Sequence, residues 1–340
     1  MNLPNVKTIR KFAMDNGIYI VLVLLVLGIT IKDPTFMSLN NLRNVLVQSS
    51  TRVIIALGVC GILITGGVDL SAGRMVGFAA VISASLLQTP DYSRLFFPNL
   101  PQVWLFLPIL VSIAVGALVG LFNGLIVSKM NVPPFIATLG MMVIVYGVNS
   151  LYFNTPPNNS QPIGGLRPDF TGLGTGAITA FDGKISIPYI VILAVVVALV
   201  IWVLHNKTTF GKNIFALGGN PQAARVSGIN VVKTLVMVYA LAGALYGLAG
   251  VFEAARTGGA TNNYGNGYEL DAIAASGVGG VSVAGGIGTV PGVVAGVLIF
   301  TVINYGLTFI GVDPYWQQIV KGLIIVFAVS FDLAKYYVKK

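Results

Sequence analysis

Apolar segments of bilayer-spanning length recur along the whole chain, and they restrict its possible folds more than any other feature. A helix that crosses the hydrocarbon core needs about 20 mostly apolar residues. Its backbone polar groups must also be bonded within the segment. Only 9% of the 340 residues are charged, whereas soluble domains contain about 25%. We therefore predict an all-α polytopic membrane protein that forms a single transmembrane domain over residues 1–340.

About ten membrane segments are predicted. The segments at 75–89 and 268–283 are rich in Gly and Ala, which leaves open a broken or re-entrant path for both. The first segment lacks a small-residue cleavage site before Lys32, so we expect it to remain as a signal-anchor helix. The predicted segments lie near residues 17–31, 53–66, 75–89, 103–128, 134–153, 187–204, 234–254, 268–283, 286–310 and 315–333.

The positions of Lys and Arg predict the orientation, because cytoplasmic loops carry an excess of both. With both termini in the cytoplasm, most of the 20 basic residues fall on that side, and the net charge of +9 needs no nucleic acid partner. The longest outer loop, 154–186, is rich in Pro, Gly and Asn and is predicted to be an extracytoplasmic loop. The predicted cytoplasmic residues are Lys7, Arg10, Lys11, Arg74, Lys129, Lys207, Lys212, Arg225, Lys233, Lys335, Lys339 and Lys340. The predicted outer ones are Lys32, Arg43, Arg52, Arg94, Arg167, Lys184 and Arg256, and Lys321 falls within the last segment.

An internal repeat of inverted topology is predicted, with halves at about 66–150 and 266–333. A Gly-x-acid-Leu-x-Ala pattern occurs at 67–72 and again at 267–272. Asn-Gly-Leu and Asn-Tyr-Gly-Leu sequences, each followed by a Pro-containing turn, come later in both halves. Inverted repeats are common in transporters, where the substrate path lies at the repeat interface. Chance similarity between Gly-rich apolar helices is the alternative.

Several polar residues lie within or beside apolar segments, where they are costly and often functional. For each acid a structural role is the alternative: Asp69 beside Arg74 near the inner surface, Glu253 paired with Arg256, and two acids solvated in a loop. The amide residues could bond a neutral polyol or join helices. The candidates for a pathway or for a partner contact are Asp69, Asn123, Glu269, Asp271, Asn304 and Tyr305.

The segment from Gly211 to Asn230 is a polar, basic interruption of this apolar chain, and it contains the signals of a short helix. Asn220 is a good N-cap and Pro221 suits the first helical position. The helix is expected over 222–227, and Gly228 suits the position after its end. A short capped helix outside the bilayer suits docking to a partner. The alternative is an amphipathic helix on the lipid surface, but Ala223, Ala224 and Val226 are small for that purpose.

No catalytic residues, cofactor or metal site are predicted in this chain. A phosphate-binding G-x-x-x-x-G-K-[ST] sequence is absent, because Lys184 and Lys212 lack the flanking residues that this motif requires. Cys60 and His205 are the only cysteine and histidine, which excludes an intrachain disulfide and a Cys/His metal cluster. Nothing in the sequence suggests a proton relay through the bilayer.

Four stretches resemble the permease subunits of bacterial ABC importers for monosaccharides, the ribose, xylose, arabinose and galactose group. The stretches are GVDLSAGRMVG (67–77), NVPPFIATLG (131–140), GKNIFALGGNPQAARVSGINV (211–231) and GGVSVAGGIGTVPG (279–292). ATNNYGNGYELDAIAA (260–275) and TVINYGLTFIGVDPYWQ (301–317) most resemble members that carry galactose and methyl galactoside. The resemblance covers nearly the full length, and it is weakest in loop 154–186 and at Val283-Ala284.

The resemblance implies a transport subunit in the bacterial inner membrane that performs no chemistry. Its expected partners are a second permease copy in a homodimer, a cytoplasmic ATPase subunit that uses ATP and Mg²⁺, a periplasmic sugar-binding protein and the monosaccharide. Residues 205–233 would form the cytoplasmic coupling loop, and alternating access would move the sugar. An ATP-independent secondary carrier or channel and a membrane scaffold are the alternatives. The residues expected to couple to the ATPase are Gly218, Gly219, Asn220, Pro221, Ala223, Ala224, Arg225 and Gly228.

Overall fold

The chain forms a bundle of helices in the computed structural model, which describes residue 20 and residues 22–180 and 185–338. The start of the first predicted segment and the predictions for Lys7, Arg10, Lys11, Lys184, Lys339 and Lys340 lie outside the described residues. The helices are α1 (Leu22–Lys32), α2 (Leu39–Ile64), α3 (Ala72–Leu86), α4 (Phe106–Lys129), α5 (Pro134–Phe153), α6 (Pro168–Thr175), α7 (Tyr189–Lys207), α8 (Thr209–Gly219), α9 (Pro221–Val226), α10 (Val231–Thr257), α11 (Tyr268–Val278), α12 (Val290–Phe309) and α13 (Pro314–Val338), with a short 3-10 helix (Pro34–Met37) after α1.

Six helices in the described part of the chain are long and apolar enough to cross a membrane: α2, α4, α5, α7, α10 and α12. The all-α prediction is therefore confirmed, whereas the predicted number of about ten spans is not. α2 begins at Leu39, well before the predicted segment at 53–66. Arg52, predicted in an outer loop, consequently lies inside a helix.

α3 and α11 are too short to cross a bilayer alone. They contain 15 and 11 residues, which correspond to about 22 and 16 Å of helix. The hydrocarbon core is about 30 Å thick. Both helices coincide with the segments whose Gly and Ala content left open a broken path, so the structure agrees with that interpretation.

α2 and α10 form the centre of the bundle. In the most apolar window of α2, 83% of the residues are buried, compared with 22% for α5. A helix that is apolar on all sides belongs inside the protein, and α2 buries consecutive residues from Val53 to Ile64. The outward faces of α4, α5 and α7 carry exposed Leu, Val and Ile side chains, as expected for surfaces that meet lipid.

Small residues allow α4 to lie directly against α10. A Cβ atom on Gly116 would meet the backbone of Gly243, one on Gly120 that of Tyr239, and one on Gly124 that of Val236. Small residues at every fourth position permit such close approach in membranes. This stripe of glycines therefore marks the tightly packed face of α4.

Loop 154–186 contains more regular structure than predicted. It includes α6 and most of an antiparallel hairpin of β1 (Ala177–Ala180) and β2 (Ile185–Pro188). In this hairpin Ala177 lies opposite Pro188. The loop is also bonded to the end of α3, because the Arg167 N–H donates to the Leu87 carbonyl at 2.9 Å. We call this side of the bundle the loop end.

We call the opposite side of the bundle the α8–α9 end. There the last turn of α2 is hydrogen-bonded to the segment before α12. The Gly286 N–H donates to the Ile64 carbonyl at 2.8 Å.

Between the two ends, Arg74 bonds to Asn263 and Asn266. Arg74, which was predicted on the cytoplasmic side, lies in α3 and contacts the segment between α10 and α11. The contact forms because the chain folds back from each end toward the short helices α3 and α11.

Candidate functional site

The segment Gly211–Asn230 contains the predicted short helix and a second helix that was not predicted. α9 covers Pro221–Val226, and the Asn220 Oδ1 accepts hydrogen bonds from the Gln222 and Ala223 N–H groups at 3.0 and 2.9 Å. Gly228 has φ +84°, a left-handed conformation that favours glycine. The predicted cap and stop are therefore confirmed. α8 fills the first half of the segment and begins at Thr209, after the N-cap Thr208.

Gly218 and Gly219 have opposite surroundings at the end of α8. A Cβ atom on Gly218 would meet the Ile64 carbonyl oxygen and the Gly286 nitrogen, which bond to one another. No atom lies within 4 Å of a Cβ built on Gly219. Gly218 therefore anchors α8 to α2 and to the segment before α12, while Gly219 faces outward.

α9 presents most of its surface to the exterior. Ala224 is buried, whereas Pro221, Ala223 and Arg225 are exposed. Val226 is 87% exposed. With Ala224 buried, the exposed apolar side chains of α9 are Pro221, Ala223 and Val226, which are too small to form a large apolar face for lipid.

Asp271 on α11 holds two cations from different helices. Its Oδ2 accepts from the Arg52 Nη1 at 2.5 Å and from the Lys321 Nζ at 3.3 Å. The acid was expected in a solvated loop, and Lys321 was assigned to the last membrane segment. The structure instead places both in a cluster inside the bundle, where each charge compensates another.

Glu253 on α10 extends this cluster. It accepts from Arg256 at 2.6 Å, as the sequence predicted, and also from the Tyr268 hydroxyl at 3.0 Å. The Arg52 guanidinium lies 5.2 Å from the centre of the Tyr268 ring. A continuous polar network therefore joins α2, α10, α11 and α13. A small cavity borders it, lined in part by Arg52, Tyr268 and Thr301.

Asp69 belongs to a second buried group, at the start of α3. Its Oδ1 accepts from the Ser71 N–H at 2.9 Å and from the Ser71 hydroxyl at 2.6 Å. The Asn123 amide donates to the same hydroxyl at 3.0 Å. Asp69 and Asn123 are fully buried, so Asp69 lies inside the protein. The group fixes the start of α3 against α4.

The remaining candidates are Glu269 on α11 and the adjacent residues Asn304 and Tyr305 on α12. Glu269 is buried beside Gly73 of α3, and its Oε2 has no hydrogen-bond partner among the described residues. Asn304 on α12 likewise has buried amide atoms without a partner in the described chain. The Tyr305 hydroxyl donates to Asn41 at 2.6 Å and accepts from Asn44 at 3.3 Å. Their predicted role in a pathway or a partner contact stays a prediction.

Sequence reasoning missed Arg52 and Tyr268 as members of the charged network. Arg52 follows Ser49, Ser50 and Thr51 and was assigned to a loop, because the apolar run starts only at Val53. A helical reading of the polar residues before that run would have placed it at membrane depth. The described residues contain no group of three or more His, Cys, Asp and Glu that could hold a metal ion.

Comparison with known proteins gives a match over most of the chain. The family model described as "Branched-chain amino acid transport system / permease component" matches residues 41–329. No solved structure matches the chain with significant similarity.

Individual relatives match over the full length. The galactose/methyl galactoside import permease protein MglC of Escherichia coli K12 is 54% identical over 100% of both chains. The protein of the same name from Haemophilus influenzae is 54% identical over 96% of both chains. The ribose import permease protein RbsC of Escherichia coli K12 is 36% identical over 96% of both chains.

Proposed function

Because this chain belongs to the family of permease components of branched-chain amino acid transport systems, we propose that it is the membrane-spanning subunit of a galactose and methyl galactoside importer. The 54% identity over the whole of both chains to a galactose/methyl galactoside import permease carries this proposal. The family description names amino acids, but the full-length relatives named above import sugars. We therefore base the proposed substrate on these relatives and not on the family description.

An ATPase subunit would supply the energy at the α8–α9 end. The chain itself lacks a phosphate-binding loop, and α9 is a capped, outward-facing helix. Gly218 connects α8 to the ends of α2 and of the segment before α12, so a displacement of this surface reaches both halves of the bundle. The docking surface consists of Gly219, Asn220, Pro221, Ala223, Arg225 and Gly228, with Gly218 and Ala224 packed beneath it.

An inverted repeat would explain the order of the helices. α2 to α5 and α10 to α13 both run as a long helix, a short helix and two long helices. The matching sequence patterns precede or open the short helices α3 and α11, and their acids, Asp69 and Glu269, are both buried. Inverted repeats place substrate sites at the repeat interface. The finer topology in this proposal has about ten membrane segments, two of which are partial, and both termini in the cytoplasm.

Two further partners complete the proposed importer. A second copy of the chain would form a homodimer with the sugar path between subunits, and a periplasmic binding protein would deliver sugar to the loop end. α6 and the β1–β2 hairpin give that end an ordered surface. Glu269 and Asp271 are buried, so they suit the inside of the pathway better than a contact with a soluble protein.

Reconstitution tests the proposed function. Purified chain is placed in proteoliposomes with ATPase subunit and galactose-loaded binding protein, and radiolabelled galactose uptake is followed. We expect uptake only when the ATPase, the binding protein and ATP are all present. Equal uptake by the chain alone would contradict the proposal and favour an ATP-independent carrier or channel. ATP-dependent uptake of ribose but not of galactose would contradict the substrate assignment.

A further inference from the structure

We propose that Arg74, Tyr146, Asn263 and Asn266 form a hydroxyl-binding site for the pyranose within the translocation pathway. We call these four residues the Arg74 cluster. The inference rests on the proposed function and adds a substrate-contacting site to it.

The Arg74 cluster is assembled from three separate parts of the chain. The Arg74 Nη2 donates to the Asn266 Oδ1 at 2.8 Å, and its Nη1 donates to the Asn263 Oδ1 at 3.4 Å. The guanidinium carbon lies 4.4 Å from the centre of the Tyr146 ring on α5. Arg74 has no ion pair among the described residues, since its cationic group is held by two neutral amides and one aromatic ring.

The depth of the cluster excludes a surface role. The axial rise from Arg74 to Leu86, the last residue of α3, is about 18 Å. That last turn lies at the loop end, where Leu87 bonds to Arg167. We place the loop end at one boundary of the hydrocarbon core and α3 along the membrane normal. Half of the core is about 15 Å thick, so Arg74 then falls near the middle of the membrane.

Polar side chains that are exposed at this depth must be in contact with water. Asn263 and Asn266 are exposed and Tyr146 is 40% exposed. Polar groups at membrane depth do not face lipid and instead face a polar cavity or another protein surface. Apolar Val143 and Ile144 lie on the same helix as Tyr146 and are also exposed, so the cluster is a local polar patch on an otherwise apolar face.

The chemistry of the patch suits a neutral sugar. Within the described residues the amide nitrogens of Asn263 and Asn266 donate no hydrogen bond, because only their oxygens are used by Arg74. Amide N–H groups donate to hydroxyl oxygens, and small-molecule sites combine apolar or aromatic walls with a few placed polar groups. Tyr146 supplies the aromatic wall.

Cysteine labelling tests this site in the assembled importer. Cys60 is the only cysteine and is fully buried, so Cys60→Ala provides the background. Asn266→Cys is treated with a negatively charged, membrane-impermeant methanethiosulfonate reagent, which reacts with thiolates in water. Leu199→Cys is the matched control, because Leu199 is 58% exposed near the middle of α7 on an apolar face.

We expect Asn266→Cys to be modified, the modification to slow several-fold during turnover with methyl galactoside and loaded binding protein, and Leu199→Cys to stay unmodified. Asn263→Cys serves in the same assay if Asn266→Cys does not assemble. If neither cysteine reacts faster than the Leu199 control, or if sugar does not slow the reaction, the inference is overturned. Uptake by the Cys60→Ala complex is measured first. If the Cys60→Ala complex takes up sugar with ATP but the introduced cysteines do not react, only the inference about the Arg74 cluster is contradicted. If the complex shows no uptake, the proposed function is contradicted.

Discussion

Arg52 on α2 and Asp271 on α11 form an ion pair in which the Nη1 and Oδ2 atoms are 2.5 Å apart. The two residues are separated by 219 positions in sequence. The pair joins the central helix α2 to the short helix α11. Because Lys321 contacts the same carboxylate oxygen, Asp271 fixes α11 against α2 and α13 together.

Replacement of this carboxylate should destabilise the protein strongly. Asp271→Asn leaves two cations without their anion inside the bundle, and loss of one partner of a buried pair costs about 3–5 kcal/mol. The side chains of Arg52 and Asp271 are 25% and 12% exposed, so we expect the lower end of that range. Thermal unfolding in detergent measures the change. Asp91→Asn is the control, because Asp91 is exposed, and an equal midpoint for both variants would contradict this role.

Loss of the α9 cap should weaken coupling to the ATPase. Asn220→Ala removes the acceptor of two backbone hydrogen bonds, and loss of an N-cap costs about 1 kcal/mol. Sugar-stimulated ATP hydrolysis by the assembled complex should decrease with membrane insertion unchanged. Asn220→Asp keeps an acceptor oxygen and should restore coupling, and Gln222→Ala on the same helix should have little effect. Equal loss in Asn220→Asp and Asn220→Ala would show that capping is not the cause.

The sequence alone predicted α9 but not the charged network. The reason is that the interactions that form α9 are local in sequence, whereas those of the network join distant residues. Asn220, Pro221 and Gly228 act within their own helix, so adjacent residues specify its start and end. Asp271 acts through Arg52 and Lys321, which lie in other helices. Hydropathy located α3 and α11 but left open whether they cross the bilayer, because a segment that folds back inside a bundle has the same composition as one that crosses.

Close packing of α4 against α10 should make Gly120 intolerant of substitution. Gly120→Ala would place a methyl group against the Tyr239 carbonyl oxygen, and such overpacking typically costs about 1–3 kcal/mol. Gly140→Ala is the matched control on α5, since no atom lies within 4 Å of its Cβ position. Alanine is the better helix former by about 1 kcal/mol. Thermal unfolding should therefore separate the two variants, and a midpoint for Gly120→Ala at or above that of Gly140→Ala would contradict this packing.

Substitutions at Gly218 and Gly219 should distinguish the anchoring of α8 within the permease from the docking of the ATPase. Gly218→Ala forces a Cβ atom onto the bonded Ile64 and Gly286 backbones, so it should lower the thermal midpoint of the permease even without an ATPase. Gly219→Ala projects into open space and should leave the midpoint unchanged.

Gly219→Trp adds bulk to the outward surface without a clash inside the chain, because no atom lies within 4 Å of the Gly219 Cβ position. We expect normal membrane insertion and a normal thermal midpoint. In the complex, sugar-stimulated ATP hydrolysis and uptake should fall several-fold, because the indole would occupy the space that a docked ATPase needs. Uptake by Gly219→Trp equal to that of Gly219→Ala would show that the ATPase docks elsewhere. A lowered midpoint in Gly219→Trp would show instead that this face packs within the permease.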